Sequence, residues 1–434
     1  MIPFNTMVVL CGTGLLGVVS GIIGSFAVLR RRALMGDALA HAALPGICLA
    51  FLILGERHLP ALLLGALITG TVGVLVVTTL RHATRIKEDA AIGIVLSVFF
   101  GAGVVLLRVI QNMPSGNRAG LDHYIYGKAA GMVVQDVQWI GGVCLVVILA
   151  AVLLYKEFTL LSFDTAFAAT LGWPTLRLDI VMMGLLVIVT VVGLPAVGVV
   201  MMAAMLIIPG ASARFWTERL HVMLILAAVF GGLTGIVGTW LSATFSRLPA
   251  GPVIVLVAAA IFVVSMTFAP RRGILARTLS HVNLRRRTAR QNLLRTMYEL
   301  VERDLDARPA VTPAALTRLR AWTEPHARRL LAAGARVGLI ERTSDGHFRL
   351  TDRGLLEAVG VVRTHRLWEM FLIEQAHIAT DHVDRDADSI EHVLGADIIR
   401  DLEDRLVQLG RWPHGTARPP RSPHEIAVDG GVTP

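Results

Sequence analysis

Three groupings of side chains in this sequence have the types and spacings that do chemistry. The first is Asp37 with His41, inside the run Gly36 to Gly46. Four residues apart on a helix, a carboxylate and an imidazole lie on one face, one turn apart. They make half of an N/O site for a divalent transition metal. The segment around them, Ala33 to about Gly55, is apolar and long enough to cross a bilayer, where ionisable side chains are costly and need a reason. The other reading is an Asp37 that caps the helix and a His41 that hydrogen-bonds a neighbouring helix. Pro45-Gly46 is expected to interrupt this helix, since proline removes a backbone donor.

The second grouping lies far along the chain. His365 and Glu369 are four apart, Asp388 and His392 are four apart, and Glu391 adjoins His392. An imidazole and carboxylates from each of two helices suit manganese or iron(II); a charged helix surface is the alternative. The third is Ser162 to Gly172, a short amphipathic stretch containing Asp164, Ala168 and Gly172. A small helix lying across a loop can receive force from a partner protein, or it can be an ordinary interfacial helix.

The elements that must position these groups differ between the two parts of the chain. Of the 434 residues, 54% are hydrophobic and only 17% charged. Residues 1 to about 270 are apolar runs joined by short loops, while 271–434 hold most of the charge. This predicts an all-α polytopic membrane domain followed by a soluble one. Spans are expected near 7–29, 33–55, 60–80, 90–110, 134–155, 178–194, 197–213, 221–244 and 252–269, giving eight or nine. The first is too long for a signal-peptide core and has no charged region before it, so it is expected to remain as a span. The 197–213 segment, short and with Pro209-Gly210 near its end, is a candidate half-helix. Residues 111–133 read as a loop. The net charge of +9 draws on both parts. In the first part the basic residues collect in the loops Arg30 to Arg32 and Arg81 to Lys87, so they report orientation rather than nucleic-acid binding. The positive-inside tendency makes both loops cytoplasmic and puts the N-terminus outside. Cys11, Cys48 and Cys144 all fall in apolar segments and are expected as buried free thiols, with no disulfide framework or cysteine metal site.

After Arg271 the pattern changes. Residues 271–288 read as a basic linker, with Arg285 to Arg287 placed to meet anionic lipid headgroups. Helices are expected at about 289–305, from Thr312-Pro313 to about Trp322, and from Glu324 to Val337. Asp345-Gly346 between two short runs predicts a hairpin. Three helices and a hairpin over 289–356 make a winged helix. Arg328, Arg329 and Arg336 on its third helix would suit phosphate; a protein-packing role is the alternative. Residues 357–415 read as a helical domain and 416–434 as a disordered tail.

The run Leu34 to Gly46, then Lys87 to Ile94, the Asp164 to Gly172 loop, and Gly198 to Gly210 with Leu206-Ile207-Ile208-Pro209 carry a resemblance. In this order they resemble the membrane permease subunit of ATP-binding cassette importers for zinc, manganese and iron, over the whole of the first 270 residues. The resemblance implies that Asp37 and His41 line the metal path, and that the Asp164, Ala168 and Gly172 loop couples to an ATPase. It implies cytoplasmic ATPase subunits, an extracytoplasmic metal-binding protein and a second permease copy, identical or paralogous, in a bacterial cytoplasmic membrane. No Walker A sequence of the form G-x-x-x-x-G-K-[ST] occurs, so the chain is not expected to be an enzyme; ATP hydrolysis falls to another polypeptide.

From about 290 to Gly415 the tail resembles metal-dependent repressors of the diphtheria toxin and manganese repressor type. On that resemblance His365, Glu369, Asp388, Glu391 and His392 fall on metal-ligand positions. Asp384 stands where iron-type members have histidine. Asp388 stands where iron-type members have cysteine and manganese-type members glutamate, which leans toward manganese. Glu299 and Glu302 are the candidates for the acidic ligands nearer the start. The expected protein is thus a divalent-metal importer permease, manganese favoured and zinc or iron possible, with a metal-sensing cytoplasmic tail. No organic cofactor and no DNA binding are expected. The alternatives are a membrane-tethered metal-responsive transcription regulator, in which the spans are only an anchor, and a proton-driven transporter without an ATPase.

Overall fold

The computed structural model describes residues 3–55, 58–113, 132–245, 248–305, 307–376 and 396–410. The chain divides into two compact units, Met1–Thr278 and Leu279–Pro434.

The first unit is a bundle of helices: α1 (Phe4–Leu29), α2 (Ala33–Leu54), α3 (Leu59–Ala83), α4 (Glu88–Gln111), α5 (Val134–Leu153), α6 (Tyr155–Phe163), α7 (Thr165–Thr170), α8 (Thr175–Val197), α9 (Val199–Trp216), α10 (Leu220–Thr244) and α11 (Ala250–Phe268). Among the described residues, eight helices are long and apolar enough to cross a membrane, and α9 is a shorter apolar helix. Their faces are apolar nearly all round, as spans surrounded by lipid and by each other must be.

Packing between such helices relies on close backbone approach rather than on apolar burial. α1 packs most extensively against α10. A Cβ on Gly17 would lie 2.1 Å from the Gly231 carbonyl oxygen, and one on Gly231 would lie 2.0 Å from that of Gly17. Thr13 Oγ1 and Thr239 Oγ1 join the same seam at 2.9 Å.

Three expectations change here. α2 runs unbroken through Pro45. A Cβ on Gly46 would meet the Gly65 carbonyl oxygen at 2.1 Å, so Pro45-Gly46 marks the tight seam between α2 and α3 rather than a break. α9 is helical through Pro209 and spans 18 residues, not a half-helix. Cys11 is exposed on α1, while Cys48 and Cys144 are buried; all three are free thiols. The loop expected at 111–133 lies mostly outside the described residues.

The second unit begins within α12 (Ile274–Val301). The residues expected as a linker, 271–288, are therefore largely the first half of a helix. Then come α13 (Pro313–Leu319), α14 (Glu324–Arg336), β1 (Ile340–Arg342), β2 (Phe348–Leu350), α15 (Asp352–Ala376) and α16 (Ala396–Gln408). Thr312 caps α13 by accepting from the Ala315 N–H at 3.2 Å, ahead of Pro313 in the first turn. α13 ends at Leu319, short of the Trp322 expected. β1 and β2 pair antiparallel with Glu341 opposite Arg349. Three helices and a hairpin are thus present as the sequence predicted. Their core joins Leu293, Leu294, Met297 and Tyr298 of α12 to Leu316, Leu331, Ile340 and Leu350.

Candidate functional site

The α2 pair is built by one helix. Its start at Ala33 is preceded by Arg32, with no side-chain cap. Asp37 is therefore inside the helix rather than its cap. His41 lies eight residues in, about 12 Å along the axis. His41 Nε2 is 3.4 Å from Asp37 Oδ1, and the side chains are 15% and 33% exposed. That gap is long for a hydrogen bond. The other ring nitrogen, Nδ1, is buried and has no hydrogen-bond partner among the described residues. The ring edge rests on Phe100 of α4, centroids 4.7 Å apart. Ala38, Ala40 and Ala42 around the pair are fully buried. Neither half of the cap-and-hydrogen-bond alternative is realised. The pair stands by itself: among the described residues no three His, Cys, Asp or Glu side chains cluster to hold a metal.

One polar cluster went unread in the sequence. Arg30 and Arg32, at the α1–α2 turn, both pair with Asp179 of α8. Arg32 Nη1 lies 2.7 and 2.8 Å from the two Asp179 oxygens. Arg32 also pairs with Glu88 at the start of α4, which Arg81 of α3 approaches at 3.3 Å. Burial pulls the Arg30 guanidinium below its ordinary value, and Asp179 opposes that shift. Arg31 between them takes the left-handed conformation, φ 60°, and is exposed. The arginine triplet was read only as an orientation signal. The withdrawal of Arg30 and Arg32 from solvent follows from an aspartate 149 and 147 residues away, separations that no local pattern reports.

The third grouping forms as expected and gains detail. Asp164 caps α7 by accepting from the Phe167 N–H at 2.8 Å. Ala168 is 1% exposed. Gly172 has φ +80° with open space where a Cβ would go, so its requirement is conformational rather than steric. Phe163, Phe167, Leu171 and Trp173 around this helix are all exposed.

In the second unit, α15 places His365 Nε2 3.0 Å from Glu369 Oε1, at 2% and 0% exposure. α12 adds Arg295, whose Nη1 is 2.9 Å from His365 Nδ1 and whose Nε is 2.6 Å from Glu299 Oε1. A guanidinium only donates. Nδ1 therefore accepts, and the ring proton sits on Nε2 facing Glu369. Arg366 grips Glu302 through two bonds of 2.7 Å. Both arginines are 2% exposed. Asp384, Asp388, Glu391 and His392 lie outside the described residues.

An unbroken apolar bundle with a short capped helix between two of its spans, followed by a winged-helix tail, defines a polytopic membrane subunit with an appended repressor-like domain. The chain belongs to the ABC 3 transport family, whose model matches residues 4–269. Residues 351–420 match the metal binding and dimerisation domain of iron dependent repressors. Among relatives, the manganese transport system membrane protein MntC of Bacillus subtilis is 41% identical over 382 residues, 88% of this chain and 87% of that protein. The zinc transport system membrane protein TroC of Treponema pallidum is 45% identical over 62% of this chain and 90% of its own. PsaBC from Streptococcus pneumoniae, solved in complex with Fab, is 31% identical with a TM-score of 0.57, covering 65% of this chain and 96% of that one. This chain is a non-catalytic membrane subunit of a transporter.

Proposed function

We propose that the protein is the permease subunit of an ATP-driven importer whose cargo is a divalent transition metal. Manganese is favoured, and zinc or iron are the alternatives. The observation that carries this reading is the Asp37–His41 pair. An apolar span carries a carboxylate and an imidazole on one face, and among the described residues the buried His41 Nδ1 has no hydrogen-bond partner. Intramembrane ionisable groups of this kind mark ion pathways. The names of the manganese and zinc relatives point to the same cargo. Two ligands are half of a four-ligand shell, so a second permease copy bringing its own pair would complete it.

The α7 region is the contact for a separate cytoplasmic ATPase: Phe163, Phe167, Leu171 and Trp173 form an exposed apolar surface on and beside a short helix whose Ala168 is buried. On this reading the N-terminus is outside, the second unit is cytoplasmic, and an extracytoplasmic metal-binding protein delivers the cargo.

The test is uptake of labelled manganese and zinc into cells by the wild type, Asp37→Ala and His41→Ala, with membrane levels of each chain measured in parallel. Loss of uptake at unchanged membrane level is expected, because each change removes a ligand and not a packing group. Undiminished uptake by the double alanine variant rejects the assignment.

A further inference from the structure

The described part of the repressor-like tail does not fit a divalent cation at His365. A metal bound to an imidazole nitrogen sits about 2.0–2.2 Å from it and needs that nitrogen's lone pair. The Nδ1 lone pair already takes an N–H from Arg295 at 2.9 Å, and Nε2 is turned to Glu369. The acidic candidates on the other side are also engaged. Glu299 holds Arg295 at 2.6 Å, and Glu302 holds Arg366 through two bonds.

We infer that Arg295 is the built-in cation of this tail: its guanidinium stands between Glu299 and the His365–Glu369 pair where a metal would otherwise bridge α12 and α15. In the chain Glu299–Arg295–His365–Glu369 the last three are buried and Glu299 nearly so, with side-chain exposures of 10%, 2%, 2% and 0%. An entering metal would have to displace a buried, charge-assisted N–H from the His365 lone pair, which is unfavourable. The clasp therefore fastens α12 to α15 with no divalent ion, and metal sensing does not run through His365 and Glu369. This inference does not rest on the cargo of the first unit.

The experiment counts manganese(II) ions bound by the purified full-length protein in detergent, after chelator treatment, by the spectrum of free manganese(II). Wild type is compared with His365→Gln and Glu369→Gln. A glutamine at 365 accepts from Arg295 through its carbonyl and donates to Glu369 through its amide. A glutamine at 369 still accepts from the Nε2–H. Both variants keep the clasp while removing the group that a metal there would need, and both are expected to bind as many ions as wild type. Resistance of the tail to proteolysis, with and without manganese, identifies a variant that has failed to fold, in which case the other decides. A folded variant that binds one ion fewer than wild type overturns the inference. Cellular uptake is a separate readout, so failure of the cargo reading and failure of this one are distinguishable.

Discussion

Among the described residues the same local motif occurs twice, an imidazole and a carboxylate four residues apart on one helix, and the two parts of the chain treat it in opposite ways. In α2 the pair is open. His41 and Asp37 stay 3.4 Å apart, the carboxylate is a third exposed, and one buried ring nitrogen has no partner among the described residues. In α15 the pair is closed. His365 and Glu369 are 3.0 Å apart with almost no exposure, and Arg295 holds the second ring nitrogen. Helical spacing brings the two groups together in both cases. Whether the lone pairs remain available depends on what the neighbouring helix presents: Phe100 of α4 offers an apolar ring, and Arg295 of α12 offers a cation.

The largest expected effect comes from giving the open pair the neighbour of the closed one. Phe100→Arg places a guanidinium beside His41 and Asp37. It should reduce manganese uptake to the background of cells lacking the gene while the chain still reaches the membrane. Uptake near the wild-type level would break the comparison.

The converse change is Arg295→Glu, which replaces the built-in cation by a carboxylate beside His365, Glu299 and Glu369. It should make the tail's thermal unfolding depend on manganese, stabilising it by about 2.7 kcal/mol at a hundredfold excess over the dissociation constant. Unfolding curves of the full chain with and without manganese check this.

Breaking the arginine pairing next to the clasp is a smaller change in kind. Arg366→Ala leaves Glu302 without its two 2.7 Å bonds. Removing one partner of a buried pair costs roughly 3–5 kcal/mol, and Glu302's partial exposure puts this case near the lower end. Chemical denaturation followed by Trp368 fluorescence measures it. The smallest effect is outside both pairs: Thr312→Ala removes the α13 cap and should cost about 1 kcal/mol in the same assay.

Much of the first unit was legible because its physics is local. Nearly every span was readable from apolar length alone, since a bilayer demands about 20 apolar residues whatever the neighbours are. The short helix between Ser162 and Gly172 was legible for a similar reason, as the Asp164 cap and the turn at Gly172 that bound it act within a few residues. Pro45 misled because the break expected of proline is a local rule. α2 stays helical through Pro45, and the backbone of α3 at Gly65 packs closely against Gly46. The Arg30, Arg32 and Asp179 cluster was not legible at all, because its partners are far apart in the chain.

The sequence alone determined which residues share a helix face. Period and spacing place Asp37 with His41 and His365 with Glu369, and the apolar runs separate a membrane bundle from a charged tail. Only the tertiary structure decided which of those pairs has electrons to offer. Arg295 lies 70 positions from His365 and looks, in the sequence, like one more basic residue on an amphipathic helix. Its guanidinium finds the imidazole because α12 and α15 pack together. Charge and hydrogen-bond capacity belong to the residue type, but which lone pair they consume depends on distance in space, and the packed helices set that distance.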